Sequence, residues 1–116
     1  MSLDRPAGGA TIPADYFEET QLGRTYDTTL GPAGELWCVC SQLTTDVAGP
    51  SEFIFDESVN AIGWQLILTT APVPITAGTD SVDVRKVNNT LRYVRCTAIL
   101  PLGSAARLCA TFVVIV

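Results

Sequence analysis

Residues 91–116 read LRYVRCTAILPLGSAARLCATFVVIV, and this stretch decides the fold of the chain. Two runs rich in β-branched, aromatic and other apolar residues, 91–100 and 107–116, flank a connection that contains proline and glycine. Runs of β-formers bounded by turn residues are typical of strands. We therefore predict two antiparallel strands that form a hairpin about Leu102 and Gly103, with Cys96 opposite Cys109.

The second of these predicted strands is apolar on both faces. Side chains alternate between the two faces of a strand, so Val113 and Ile115 share one face, and the other face carries Leu108, Ala110, Phe112, Val114 and Val116. Apolar residues on both faces are typical of a strand that is covered on both sides. We expect one cover to be the domain's own core. The other would be a second sheet, the N-terminal segment or a neighbouring subunit.

Further strands are predicted upstream at a spacing of about ten residues. The segments richest in β-formers are residues 35–43, 52–56, 62–70 and 81–87, and stretches that contain Gly, Pro or Asn separate them. No segment has the periodicity of a convincing helix. This pattern predicts an all-β fold, an antiparallel jelly-roll-like sandwich or barrel.

Residues 1–34 differ in composition from the rest of the chain. They contain five glycines and three prolines and have no sustained apolar periodicity. We interpret them as an extended N-terminal arm that precedes a β-sandwich domain at residues 35–116. Large apolar side chains spaced along the arm suggest that it docks onto a partner. The candidate interface residues are Leu3, Arg5, Ile12, Tyr16, Phe17, Leu22 and Tyr26.

Composition and charge exclude several classes of function. Charged residues make up 16% of the chain and the net charge is -5, which argues against nucleic-acid binding through clustered cations. No apolar run approaches the ~20 residues that a membrane helix needs. The first residues lack the pattern of a secretory leader, so we expect reduced thiols. The low charged fraction fits a protein that hides much of its surface in an assembly.

The residues that usually carry catalysis are largely missing. The chain has no histidine, which excludes Ser-His-Asp and Cys-His nucleophile systems. Paired acids occur at 18–19, at 56–57 and as Asp80 and Asp83, and we interpret all of them as acids of turns and solvent-facing positions. We therefore predict a non-enzymatic protein that needs no cofactor.

The four cysteines leave three alternatives open. Cys38 and Cys40 lie two residues apart in a predicted strand, so their thiols point to the same face and cannot easily bond to each other. We favour buried or free thiols. The alternatives are a cross-strand disulfide between Cys96 and Cys109, or a zinc site made of all four cysteines.

The second half of the chain resembles the small capsid decoration, or cement, proteins of tailed phages. The resemblance rests on Leu91–Arg95 in LRYVRCTAIL, on the closing strand 108–116, and on ELWCVCSQL at 35–43 as an early apolar strand. It implies a jelly-roll-like domain that assembles as homotrimers on the outer capsid surface of the virion. There it would bind the major capsid protein and cement neighbouring capsid subunits.

A second hypothesis is a carbohydrate- or ligand-binding β-sandwich module, such as a lectin-like or receptor-binding subunit. Aromatic rings beside a carboxylate build sugar-binding platforms, and the residues that offer these groups are Trp37, Trp64, Tyr93 and Asp80. Tryptophan in a predicted strand is more often part of a core, so this is the alternative to the capsid hypothesis.

Overall fold

The computed structural model describes residues 11–16, 21–22, 25–29 and 33–115, and every regular element in these ranges is a β-strand. No helix in this part of the chain is long and apolar enough to cross a membrane. The strands are β1 (Thr11–Tyr16), β2 (Gln21–Leu22), β3 (Tyr26–Asp27), β4 (Glu35–Asp46), β5 (Glu52–Ser58), β6 (Gln65–Leu66), β7 (Val73–Pro74), β8 (Ser81–Lys86), β9 (Tyr93–Ile99) and β10 (Ala105–Ile115).

The strands form two antiparallel sheets. The first sheet has the order β1-β10-β4-β8, and the second has β2-β9-β5-β6. Because β3 also pairs with β9 and β7 also pairs with β5, β2 with β3 and β6 with β7 each occupy one strand position. Two four-stranded layers connected in this way make a double-sheet jelly roll. The predicted all-β, jelly-roll-like sandwich is therefore confirmed.

The predicted hairpin between the last two long strands is wrong. β9 pairs with β5, β2 and β3 in the second sheet, whereas β10 pairs with β4 and β1 in the first. Cys96 therefore lies beside Phe55, and Cys109 lies beside Ser41. The connection crosses from one sheet to the other: Gly103 has a positive φ of 86°, and the buried Ser104 hydroxyl accepts a hydrogen bond from Ala48 N at 2.8 Å.

The described parts of the predicted arm belong to the sandwich. β1 pairs along β10, from Thr11 beside Thr111 to Tyr16 beside Arg107. β2 and β3 pair with β9 at the edge of the second sheet. The described parts of the N-terminal segment thus contribute an outer strand to each sheet, and the pairing of β1, β2 and β3 lies within the sandwich.

The segment 62–70 is not the long strand that its apolar residues predict. Only Gln65–Leu66 pairs, with Glu57 and Asp56 of β5, and of its apolar side chains Ile62 and Leu68 are 84% and 86% exposed. Ile67 alone of its aliphatic residues is buried, and its N–H donates to Phe55 O at 2.9 Å. The loop before it is folded onto Ser58 and Asn60, whose side chains accept hydrogen bonds from the main chain of residues 60–63.

The inner faces of the two sheets meet in one core. Leu108, Ala110 and Phe112 of β10 pack inward against Val94 and Cys96 of β9 and against Phe53 and Phe55 of β5. Tyr26 of β3 is 1% exposed, and its ring stacks on Phe112 with 5.7 Å between the centroids. The alternation predicted for β10, with Leu108, Ala110 and Phe112 on one face, is confirmed.

Tyr26 brings a polar atom into this core. Its hydroxyl is buried and has no hydrogen-bond partner among the described residues, and burial raises its pKa above the usual value. A buried hydroxyl without a partner carries a desolvation cost. We expect Tyr26→Phe to leave the free energy of unfolding unchanged or to raise it by up to about 1 kcal/mol. Urea unfolding measures this, and a clear loss of stability would show that the hydroxyl is satisfied in solution.

Asp27, the next residue, joins β3 to the loop before β9. Arg92 donates from Nε and Nη2 to the two carboxylate oxygens of Asp27 at 3.0 and 2.8 Å. Oδ1 of Asp27 also accepts hydrogen bonds from the N–H and hydroxyl of Thr29. The hydrogen bond from Arg92 is the main reason that the pKa of Asp27 lies far below its usual value. This ion pair holds β3 against the loop before β9.

The depressed pKa of Asp27 predicts a dependence of stability on pH. A carboxyl group with a lowered folded-state pKa stabilises the fold above its unfolded pKa of about 3.9, and this contribution is lost as the pH falls through the folded value. We expect Asp27→Asn to cost about 1 kcal/mol at pH 7 and less at pH 3. Urea unfolding at both pH values tests this, and an equal loss at both would contradict it.

Candidate interaction surface and thiol cluster

The outer face of the first sheet is apolar and open. We call it the apolar sheet face, and it consists of Trp37, Val39, Leu43, Val82, Val84, Val113 and Ile115. The register places Val39 beside Val84 on one side and beside Thr111 on the other, and Trp37 beside Val113. Leu43, Val82, Val84 and Ile115 are 50%, 67%, 45% and 52% exposed, so water reaches aliphatic side chains on three strands of this face.

The second cover expected for β10 is thus not supplied by the described part of the chain. Its inner residues Leu108 and Phe112 are fully buried, whereas the outer Val113 is only half-buried and Ile115 is exposed. Large apolar side chains left in water cost free energy that burial would recover, about 1.5–3 kcal/mol for each one fully buried. Contiguous exposed apolar patches on soluble domains mark interaction sites.

One end of the apolar sheet face is charged. Lys86 Nζ lies 2.9 Å from Glu35 Oε2, and the indole N–H of Trp37 donates to Glu35 Oε1 at 3.4 Å. The hydrogen bond from Lys86 is the main cause of a lowered pKa at Glu35, so the carboxyl group stays ionised. An apolar centre with a polar rim is the usual anatomy of a protein interface.

The outer side of the second sheet is polar by contrast. Arg95 Nε lies 3.2 Å from Asp56 Oδ2, and Thr97 donates its hydroxyl proton to the same oxygen. The Arg95 guanidinium also lies over the Trp64 ring, 4.2 Å from its centroid. These groups satisfy one another within the domain, so the two outer faces of the sandwich differ in character.

Asp56 and Glu57 are not the solvent-facing acids that the sequence pattern suggested. Both are buried, because β5 extends through Ser58 and places them in the sheet. Glu57 Oε1 accepts hydrogen bonds from the N–H groups of Thr90 and Leu91 at 2.6 and 2.8 Å. The acids at 18–19 lie outside the described residues, and Asp83 makes an ion pair of 3.1 Å with Arg85.

The predicted interface residues have different locations. Leu3, Arg5 and Phe17 lie outside the described residues. Ile12, Tyr16 and Leu22 lie in β1 and β2, which are edge strands of the sandwich. Tyr26 is a core residue, so we no longer place it at an interface. Sequence reasoning missed the apolar sheet face, although the alternation of Val82 with Val84 and of Val113 with Ile115 already signalled it.

The two tryptophans do not build a common sugar platform. Trp37 lies in the first sheet on the apolar sheet face, whereas Trp64 lies under Arg95 on the outer side of the second sheet. Tyr93 lies on that second side as well, with the Arg92 guanidinium 4.9 Å from its ring centroid. An open cleft of about 450 Å³, lined by Tyr26, Glu35, Lys86, Asn88 and Asn89 among others, contains neither tryptophan.

Three of the four cysteines converge in the core. Cys38 and Cys40 extend inward from β4 in the first sheet, and Cys96 extends inward from β9 in the second. Their sulfur atoms all lie within 4.8 Å of one another, and the Cys38 and Cys40 sulfurs are 3.8 Å apart. Cys109 lies on the other face of β10 beside Thr111, with 3.8 Å between its Sγ and Thr111 Oγ1. We call Cys38, Cys40 and Cys96 the thiol cluster.

None of the four cysteines forms a disulfide, and Cys38, Cys40 and Cys96 are buried. The burial of these three agrees with the preferred prediction of buried or free thiols. The Cys96–Cys109 disulfide is wrong, because Cys96 faces the core from β9 whereas Cys109 lies on the outer face of β10. The predicted common face of Cys38 and Cys40 is confirmed. The four-cysteine zinc site is wrong in its ligand set, since Cys109 is not part of the cluster.

Comparisons of the chain with protein-family models, with curated proteins and with solved structures found no match in any of the three.

Proposed function

We propose that this protein is a non-enzymatic structural virion protein that binds the outside of a phage capsid and cements neighbouring major capsid subunits. The single observation that supports the proposal most directly is the apolar sheet face, a set of exposed aliphatic side chains on the outer side of the first sheet. It offers an extended binding surface and no catalytic group. Double-sheet jelly rolls also occur in viral capsid proteins, although a fold by itself does not determine function.

The partner on this face is a protein in this proposal. A sheet face with an apolar centre and charged residues at its ends, Glu35 and Lys86 at one and Arg107 at the other, suits the apolar surface of another subunit, where aliphatic side chains become buried together. The net charge of -5 does not suit direct contact with nucleic acid, and it fits an outer position on the shell. Assembly as a homotrimer, which the resemblance implies, would repeat each contact three times and raise the avidity.

The test is to place a charge on the apolar sheet face. Val82 is 67% exposed at the edge strand β8, so Val82→Glu should fold normally. Buried in an interface, the new carboxylate would lose its hydration without a partner, and we expect attachment to stripped capsid shells to weaken at least about tenfold. Co-sedimentation of the purified variant with the shells measures attachment.

Leu68→Glu is the matched control. Leu68 is 86% exposed and lies outside the first sheet, so this substitution adds the same charge and removes a comparable apolar side chain elsewhere. The control should attach like the unchanged protein. Equal attachment by Val82→Glu and the unchanged protein would exclude the apolar sheet face, and absence of the protein from purified virions would exclude the capsid role.

A further inference from the structure

We propose that the thiol cluster is a binding site for one soft, thiophilic metal ion, with Cu(I) as the preferred ion and the Cys38, Cys40 and Cys96 thiolates as its three ligands. This site lies inside the sandwich and is separate from the apolar sheet face. The inference therefore does not depend on the proposed capsid function.

The spacing of the sulfurs fits a shared ion. A metal–thiolate bond is about 2.3 Å long, so two sulfurs on one ion are about 3.8–4.0 Å apart for tetrahedral to trigonal angles. The Cys38 and Cys40 sulfurs are 3.8 Å apart, and Cys96 places the third sulfur within 4.8 Å of both. Small side-chain rotations would bring all three into coordination without moving the strands.

A disulfide could use only two of these three thiols. Cys38 and Cys40 are neighbours on one face of β4, a geometry that does not favour a bond between them. A bond from Cys96 to either of them would leave the third thiol unpaired in the core, whereas a single ion can take all three sulfurs as ligands.

The number and type of ligands select the ion. Thiolates are soft ligands that favour Cu(I) and zinc over magnesium, calcium or manganese. Structural zinc sites have four protein ligands, whereas the cluster supplies three among the described residues. Cu(I) is stable with three sulfur ligands, and burial of all three residues at 0–3% exposure would shield it from oxidation.

The three thiols are already in close contact. The Cys38 and Cys40 thiols are within hydrogen-bond distance, with 3.8 Å between their sulfurs. Metal binding requires deprotonated cysteines, so a bound cation would take the place of the thiol protons that now lie between these sulfurs.

Such an ion would connect the two sheets. Two ligands belong to the first sheet and one to the second, and none is accessible from solvent in the folded domain. We therefore expect the ion to enter during folding and to stabilise the folded state, because it binds the folded cluster more tightly than the unfolded chain.

The experiment is to refold the whole chain under reducing, anaerobic conditions with Cu(I), with Zn²⁺ or without metal, and to measure bound metal after desalting. We expect one Cu(I) per chain and a higher Tm in the copper sample. Cys109→Ser should bind as the unchanged protein does, because Cys109 lies outside the cluster. Cys96→Ala should lose the metal. Equal metal in Cys96→Ala and the unchanged protein would overturn the proposal, and so would loss in Cys109→Ser.

A measurement on the unchanged protein covers the case in which Cys96→Ala does not fold. X-ray absorption of the copper-loaded chain should show a first shell of three sulfurs at about 2.3 Å. A shell of oxygen or nitrogen, or no retained metal from either ion, would overturn the proposal. Retained zinc with a three-sulfur shell, and no copper, would overturn the choice of Cu(I).

Discussion

Phe112→Ala is expected to lower the free energy of unfolding by about 3–5 kcal/mol, which is a large fraction of the roughly 5–15 kcal/mol of an ordinary domain. Phe112 is fully buried in β10, and its ring stacks on Tyr26 at a centroid distance of 5.7 Å. Its neighbour on β4 is Cys38, a member of the thiol cluster. Truncation would leave a cavity where the two sheets and the N-terminal strand β3 meet, and close packing prevents the surroundings from filling it.

Val113→Ala is the matched control for this substitution. Val113 is the next residue on the same strand, but it faces outward and is only half-buried. Both variants remove apolar atoms from β10 without touching its main-chain pairing. Urea unfolding should show a loss below about 1.5 kcal/mol for Val113→Ala. Similar losses for the two variants would mean that the faces of β10 are not as unequal as their burial indicates.

The elements that could be predicted from sequence are those specified by alternation along one strand. The strands at 35–43, 52–56, 81–87, 91–100 and 107–116 all exist, with shifted ends. Alternation also placed Cys38 with Cys40, and Val113 with Ile115, on the correct common faces. These features depend only on the two-residue period of a strand, so no knowledge of the partner strands is needed.

The pairing of strands could not be predicted in the same way. β9 and β10 are adjacent in sequence and both carry an apolar face, which suits a hairpin and suits two facing sheets equally well. Which of the two arrangements forms depends on the connection between β9 and β10. In this connection Gly103 has a positive φ and Ser104 is buried, and the chain passes from the second sheet to the first. β10 instead takes β4 and β1 as neighbours, which are distant in sequence.

The strand predicted at residues 62–70 is wrong for a related reason. Its residues Ile62, Leu66 and Leu68 have strong β propensity or hydrophobicity, yet they are exposed, and only Gln65–Leu66 pairs with β5. Propensity describes fit to a sheet and does not create a partner strand.

The two candidate sites also differ in how far the sequence predicts them. The apolar sheet face is visible in the alternation of single strands, once the order of the first sheet is known. The thiol cluster cannot be recognised from single strands, because Cys96 lies close to Cys38 and Cys40 only when the second sheet packs over the first. Sequence spacing pairs Cys96 with Cys109, which the structure places on an outer face.

Glu57→Ala is expected to lower the free energy of unfolding by roughly 2–4 kcal/mol. Glu57 is 6% exposed at the end of β5, and its Oε1 accepts hydrogen bonds from the N–H groups of Thr90 and Leu91 at 2.6 and 2.8 Å. Alanine would remove the charged acceptor of both hydrogen bonds, and hydrogen bonds to charged groups contribute about 1.5–3 kcal/mol each, with less expected where the donors are partly exposed as they are in this loop. The loop that leads from β8 into β9 would lose its anchor.

Glu57→Gln separates the hydrogen bonds from the charge. The glutamine side chain keeps a carbonyl oxygen at the position of Oε1, so it can still accept from both N–H groups, although hydrogen bonds to a neutral acceptor are weaker. We expect a loss of about 1 kcal/mol for this variant, well below that of Glu57→Ala. Urea unfolding compares the two, and hydrogen exchange at Thr90 and Leu91 should become faster in the alanine variant alone. Equal losses for both variants would show that the negative charge of Glu57, and not its role as an acceptor, holds the loop on β5.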